Sequence, residues 1–167
     1  ADLEKVTSAL KYAADHGVVL VAAAGNEAYD LDHGTSDPYS SGWSGQAERP
    51  VTDQCVTMPA QSDDVITIGA ITKKGNRTGY SNIGAAIDIV AFGGEPSAEG
   101  QSNSVVQGPE LGILTTASAD RLRRVGALND NGSPRTDEIL SDCTSGHASC
   151  RYYWYQIGTS FATPQVA

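Results

Sequence analysis

Val18-Val19-Leu20-Val21-Ala22-Ala23-Ala24-Gly25-Asn26-Glu27 is the stretch on which the fold turns. Its first part is a short apolar run rich in β-branched residues, the pattern of a strand buried on both faces. Upstream, Leu3, Val6, Leu10 and Ala13 recur at helical spacing, and the helix is expected to run from the start to about Ala14. Gly17 supplies the stop, and His16 beside it is an ordinary cation at a helix C-terminus. A helix followed by a buried strand predicts an α/β chain with a parallel sheet. The strand, placed at residues 18–23, ends in small residues and then Asn26. Small side chains there let another chain approach the backbone, and an Asn can aim its amide N–H at a substrate oxygen. The alternative is that Gly25-Asn26 is an ordinary turn.

Further strands are expected at residues 65–71, 87–91, 112–116 and 152–157. The last runs into Gly158-Thr159-Ser160-Phe161-Ala162-Thr163-Pro164, which reads as the start of a helix. Ser160 thus stands at a strand-to-helix junction. The first N–H groups of a helix lack intrahelical partners and make that end positive, so negative charge developing beside Ser160 is stabilised. Acyl transfer by a serine nucleophile needs this, because its tetrahedral intermediate carries an oxyanion. The competing reading is a serine N-cap. Gly34-Thr35-Ser36 repeats the tripeptide, but Asp37-Pro38-Tyr39 follows with turn chemistry, so Ser36 reads as loop. In open parallel sheets sites form at the carboxyl ends of strands, and Asn26 and Ser160 both follow strand ends.

Together the two motifs resemble the subtilisin-like serine proteases. In that family G-T-S-x-A-[ST]-P carries the nucleophile and A-A-G-N the oxyanion-hole asparagine. Met58-Pro59-Ala60 with Val65-Ile66-Thr67-Ile68-Gly69-Ala70, Tyr80-Ser81-Asn82-Ile83-Gly84, and Ile87 through Gly93 resemble the segments between them, with Phe92 in place of the family's usual Pro. The resemblance implies a three-layer α/β fold on a parallel sheet, incomplete at both ends. Residues 1–167 would form part of one catalytic domain, from the oxyanion-hole segment through the nucleophile helix. It implies a serine endopeptidase acting on protein or peptide substrates, with Ser160 as nucleophile and Asn26 as oxyanion donor. Ala23, Ala24, Gly25 and Glu27 would line or rim the pocket for the residue before the cleaved bond, with Thr57 near its base. Apolar walls with a small floor suggest an apolar or mid-sized side chain there. Pro59 is a candidate cis proline.

The family's Asp-His-Ser triad places Asp and His earlier in the chain. Only 25 residues precede Asn26, and they hold neither V-x-D-[ST]-G nor H-G-T-H. The base and acid are therefore expected in an upstream half of the same catalytic domain, and this chain alone is expected to be inactive. The serine helix of the family continues beyond Ala167. His33-Gly34-Thr35 mimics H-G-T-H but follows Asn26 and sits among Gly, Ser and Asp, so it reads as a decoy. Asp63, Asp64 and Asp88 read as solvated or turn-stabilising. No cofactor is required. Many subtilases bind calcium, and carbonyls near Ala60 and Val65 with the Asp88 carboxylate match the region of a weak cation site in some members. A hard cation wants six to eight oxygens. That count is not met, so a structural calcium ion stays unassigned and no metal ligand is named.

The formal net charge of −9 argues against nucleic acid and anionic membrane partners, which select basic patches. No apolar run approaches a membrane span. Cys143 and Cys150 bracket a short flexible stretch that suits a local disulfide; zinc binding with His147 is the alternative. Cys55 is left over, either a buried thiol or the partner of a cysteine upstream. This usage favours an oxidising compartment, secreted, periplasmic or at the cell surface. Asn76-Arg77-Thr78 and Asn131-Gly132-Ser133 are glycosylation sequons, read here as turns. Residues 27–57 and 117–151 read as two long polar loops walling the substrate cleft, since structureless loops beyond about 12–15 residues are often functional. Tyr152 through Tyr155 read as strand packing rather than a stacking platform. The rival readings are a non-catalytic module of the same family, an esterase lacking its usual G-x-S-x-G, and a nucleotide-binding domain lacking G-x-G-x-x-G.

Overall fold

The computed structural model describes residues 2–37, 49–52, 55–95, 111–144 and 149–167. The elements are α1 (Asp2–Asp15), β1 (Val21–Ala23), β2 (Ser36–Asp37), β3 (Arg49–Pro50), β4 (Ile66–Ile71), β5 (Ile89–Phe92), β6 (Ile113–Ala117), α2 (Ala119–Arg124), β7 (Ile139–Thr144), β8 (Ser149–Gln156) and α3 (Thr159–Ala162), with a 3-10 turn at Thr163–Gln165. They fall into two compact units, residues 1–93 with 158–167, and residues 94–157.

In the first unit α1 ends as its sequence suggests. The Gly17 N–H bonds to the Ala14 carbonyl at 2.9 Å and the Val18 N–H to Ala13 at 3.0 Å, the double closure that satisfies last-turn carbonyls. The His16 ring donates from Nδ1 to the Tyr12 carbonyl at 2.7 Å, because a carbonyl can only accept. Val18 is thereby tied to the helix end, and the strand starts later than expected, at Val21. Val18 and Val19 are 52% and 74% exposed, so their hydrophobicity does not reflect burial within these residues.

The sheet order is β1-β4-β5, all parallel, with Val21 opposite Ile66 and Ile68 opposite Ile89. Central β4 explains its own composition. Ile68 and Ala70 are fully buried between neighbours, and Thr67 is tolerated there because its hydroxyl donates to the Ala60 carbonyl at 2.6 Å. The connection from β4 to β5 is tied down by similar bonds. The Ala70 N–H donates to Ser81 Oγ at 3.0 Å, and the Tyr80 hydroxyl to the Gly93 carbonyl at 2.6 Å. That carbonyl also accepts the Gly158 N–H at 2.8 Å, which fixes where α3 begins. α3 packs against β1, β4 and β5. Ser36 lies in β2, which pairs antiparallel with β3, so it is a strand residue rather than loop.

The second unit is an antiparallel sheet of order β6-β8-β7. The strand that leads to Ser160 is thus antiparallel to both neighbours and is no member of the parallel sheet. Leu122 of α2, Leu128, Ile139 and Tyr152 form a buried core, joined by Trp154. The Tyr152 hydroxyl donates to the Gly132 carbonyl at 2.7 Å, so these aromatics pack a strand. Residues 117–151 are therefore not one long loop, because α2, β7 and most of this core come from them. Each piece is too short for a periodic pattern, and Leu122, Leu128 and Ile139 are separated by turns. Cys143 and Cys150 stand opposite each other on β7 and β8 and form a disulfide, which removes the zinc alternative. His147 lies outside the described residues. Cys55 is exposed rather than a buried thiol, and has no disulfide partner among the described residues.

Candidate active site

Asn26 stands three residues beyond β1, on a turn that depends on Gly25. Gly25 has φ 105°, and a Cβ there would run into the Asn82 and Glu27 side chains. The Asn26 Oδ1 accepts the Thr159 N–H at 2.8 Å and the Thr159 hydroxyl at 3.0 Å. A peptide N–H only donates, so the amide oxygen must face Thr159 and the NH2 group must point the other way. Thr159 is fully buried, and its Oγ1 also accepts the Gly25 N–H at 3.3 Å. One buried threonine thus grips both the backbone and the side chain of the Gly25-Asn26 turn.

Ser160 is the next residue. The N-cap position of α3 belongs to Gly158, whose φ of 142° and ψ of 159° form a conformation open almost only to glycine. Ser160 is the second helical residue and is exposed, so the capping alternative does not describe it. α3 has only four residues.

Ala23, Ala24, Gly25, Glu27 and Thr57 line one cavity of about 370 Å³. Tyr29, Cys55, Met58 and Asn82 join its wall, and none of these four was anticipated as lining. Met58–Pro59 is a cis peptide bond. Asn82 was legible only as part of a turn motif; its role depends on a long-range contact that spacing does not reveal. The Glu27 carboxylate accepts an Asn82 Nδ2 hydrogen at 2.6 Å.

His33 is exposed and stands 3.4 Å from Asp30. The Asp30 carboxyl is held below its ordinary range chiefly by the Asp32 N–H, with burial opposing and His33 assisting. Asp30, Asp32 and His33 each bring a ligand atom within 4.8 Å of the others, but Asp30 Oδ1 accepts the Asp32 and His33 N–H groups, which is turn chemistry. Two of the groups named for calcium accept protein hydrogen bonds. Asp88 Oδ2 accepts the Thr67 N–H at 2.8 Å, and the Ala60 carbonyl accepts the Thr67 hydroxyl. Each keeps further lone pairs, so these bonds neither build nor exclude a cation site, and no calcium ligand set is assigned.

A strand-end asparagine is thus held beside an exposed helix-start serine in an α/β chain. The family is given by comparison. The model of the subtilase family matches residues 2–167, and the chain belongs to that family. Subtilisin DY of Bacillus licheniformis is 34% identical over 91 residues, covering 52% of this chain and 26% of that protein. The nisin leader peptide-processing serine protease NisP of Lactococcus lactis is 28% identical over 163 residues, 96% of this chain and 19% of that protein. The crystal structure of NisP superposes with TM-score 0.51 at 26% identity, over 95% of this chain and 36% of that one. That of a lanthipeptide protease does so with TM-score 0.52 at 24% identity, over 98% and 38%. The fold is accordingly the α/β subtilisin fold in part, since this chain spans well under half the length of these relatives. No helix among the described residues is long and apolar enough to cross a membrane.

Proposed function

We propose that this chain supplies the nucleophile and oxyanion hole of a secreted or cell-surface serine endopeptidase. The observation that carries the reading is the Asn26 amide, anchored through its oxygen to Thr159 and adjoining exposed Ser160. The Ser160 hydroxyl attacks the scissile carbonyl of a peptide and forms an acyl-enzyme. A histidine from the upstream half of the domain accepts the serine proton and returns it to the leaving amine, with an upstream aspartate orienting it. The oxyanion lies between the Asn26 NH2 and the Ser160 N–H, both fixed before reaction, which is why they stabilise charge without reorganisation. The cavity beside Glu27 takes the side chain before the cleaved bond. The leader peptide-processing protease NisP among the relatives supports a peptide substrate, and the Cys143–Cys150 disulfide supports an oxidising compartment.

The test is steady-state kinetics on the complete catalytic domain. Ser160→Ala abolishes turnover, and Asn26→Ala lowers kcat far more than it raises KM. For the family's oxyanion asparagine the loss is roughly 10²–10³-fold. Full turnover in either variant refutes the assignment. Residues 1–167 alone show no cleavage, and cleavage by them that Ser160→Ala blocks would refute the need for an upstream half.

A further inference from the structure

We infer that Asn82 is a positioning residue that holds the Asn26 segment in its working geometry, an inference that rests on the proposed role of Asn26. Asn82 sits on the β4–β5 connection and is 2% exposed. Its Oδ1 accepts the Glu27 N–H at 3.0 Å and the Tyr29 N–H at 2.9 Å. Its Nδ2 donates to the Ala24 carbonyl at 2.9 Å and to Glu27 Oε2 at 2.6 Å. Its backbone N–H donates to the Gly25 carbonyl at 3.1 Å. Two acceptances and two donations use the principal capacity of the amide, so its orientation is determined and the buried group is satisfied.

These bonds fall on both sides of Asn26. Ala24 and Gly25 are held before it, Glu27 and Tyr29 after it. The gripped turn needs holding, because Gly25 has φ 105° and Ala28, with no glycine's latitude, has φ 54°. Thr159 holds the Asn26 side chain and the Gly25 N–H, whereas Asn82 holds the backbone on both sides of Asn26. Asn82 contacts the same segment through the Glu27 carboxylate, which ties the cavity wall to the oxyanion turn. A displaced turn would move the Asn26 NH2 relative to the developing oxyanion. The loss in kcat should therefore depend on the presence of Asn26.

The experiment uses the complete catalytic domain, a chromogenic peptide substrate and a double-mutant cycle. Asn82→Asp keeps the shape and both N–H acceptances, removes the Nδ2 donations and sets a carboxylate against Glu27. It should lower kcat by about tenfold or more, and in an Asn26→Ala background it should lower kcat by under about twofold, as expected for residues acting as one unit. Adding Glu27→Gln to Asn82→Asp restores a donor opposite an acceptor and should recover part of kcat. Equal losses in both backgrounds would overturn the inference and leave the Asn26 reading intact. An Asn26→Ala variant with full turnover would overturn both. If Asn82→Ala and Asn82→Asp both fail to fold and Glu27→Gln rescues neither, Asn82 serves stability alone and the inference is overturned.

Discussion

Thr159→Val isolates the bond between the nucleophile helix and the oxyanion turn. Valine preserves the β-branched shape at a fully buried site and keeps the backbone N–H that donates to Asn26 Oδ1. It removes one hydroxyl and with it two bonds, the donation to Asn26 Oδ1 and the acceptance from the Gly25 N–H. At about 0.5–1.5 kcal/mol net for each, the sum is about 1–3 kcal/mol. If all of it is felt in the transition state, turnover falls roughly 5- to 150-fold, since about 1.4 kcal/mol is tenfold. If all of it is felt in folding, stability falls by the same energy and turnover is unchanged. Urea denaturation and kcat measured on the same complete catalytic domain divide the two. Thr159→Ser retains the hydroxyl and should hold most of the activity. Unchanged kcat in Thr159→Val, with a full loss of stability, would refute the argument that this hydroxyl positions Asn26.

Two further outcomes follow from the remaining structure. Leu122→Ala, at a fully buried core position, should destabilise the 94–157 unit by about 2–5 kcal/mol, read by urea denaturation through Trp154 fluorescence; a loss below about 1 kcal/mol would mean that Leu122 is not in a packed core. Asp30 should titrate below the ordinary aspartate range because the Asp32 N–H favours its charged form. A depressed carboxyl contributes stability above its unfolded pKa and loses it as pH falls through the folded one, so the effect belongs to the acid window; a carboxyl-detected NMR titration with an ordinary midpoint would contradict it.

The parallel sheet was legible because a helical pattern leads into the apolar run at residues 18–23, and an apolar run after a helix is a local signal that needs no tertiary information to be recognised. The 94–157 unit was not. Leu122, Leu128 and Ile139 meet only because turns fold three short pieces onto β8, and no window of sequence contains their common face. The strand before Ser160 shows the same limit. Its residues predict extended backbone, but whether it lies parallel or antiparallel depends on partners distant in the chain.

At the site, two motifs in order and their resemblance to the subtilases made Asn26 and Ser160 the candidates, and the structure brings the two segments together through Thr159. Tertiary structure alone decided which way the Asn26 amide faces. That orientation comes from a peptide N–H at Thr159, 133 residues away, which can only donate and so selects the oxygen. It also decided that Gly158 rather than Ser160 is the cap, and that a buried asparagine at position 82 holds the turn from behind. Hydrogen-bond partners distant in sequence leave no period or spacing to read. Their geometry exists only once the chain has closed on itself.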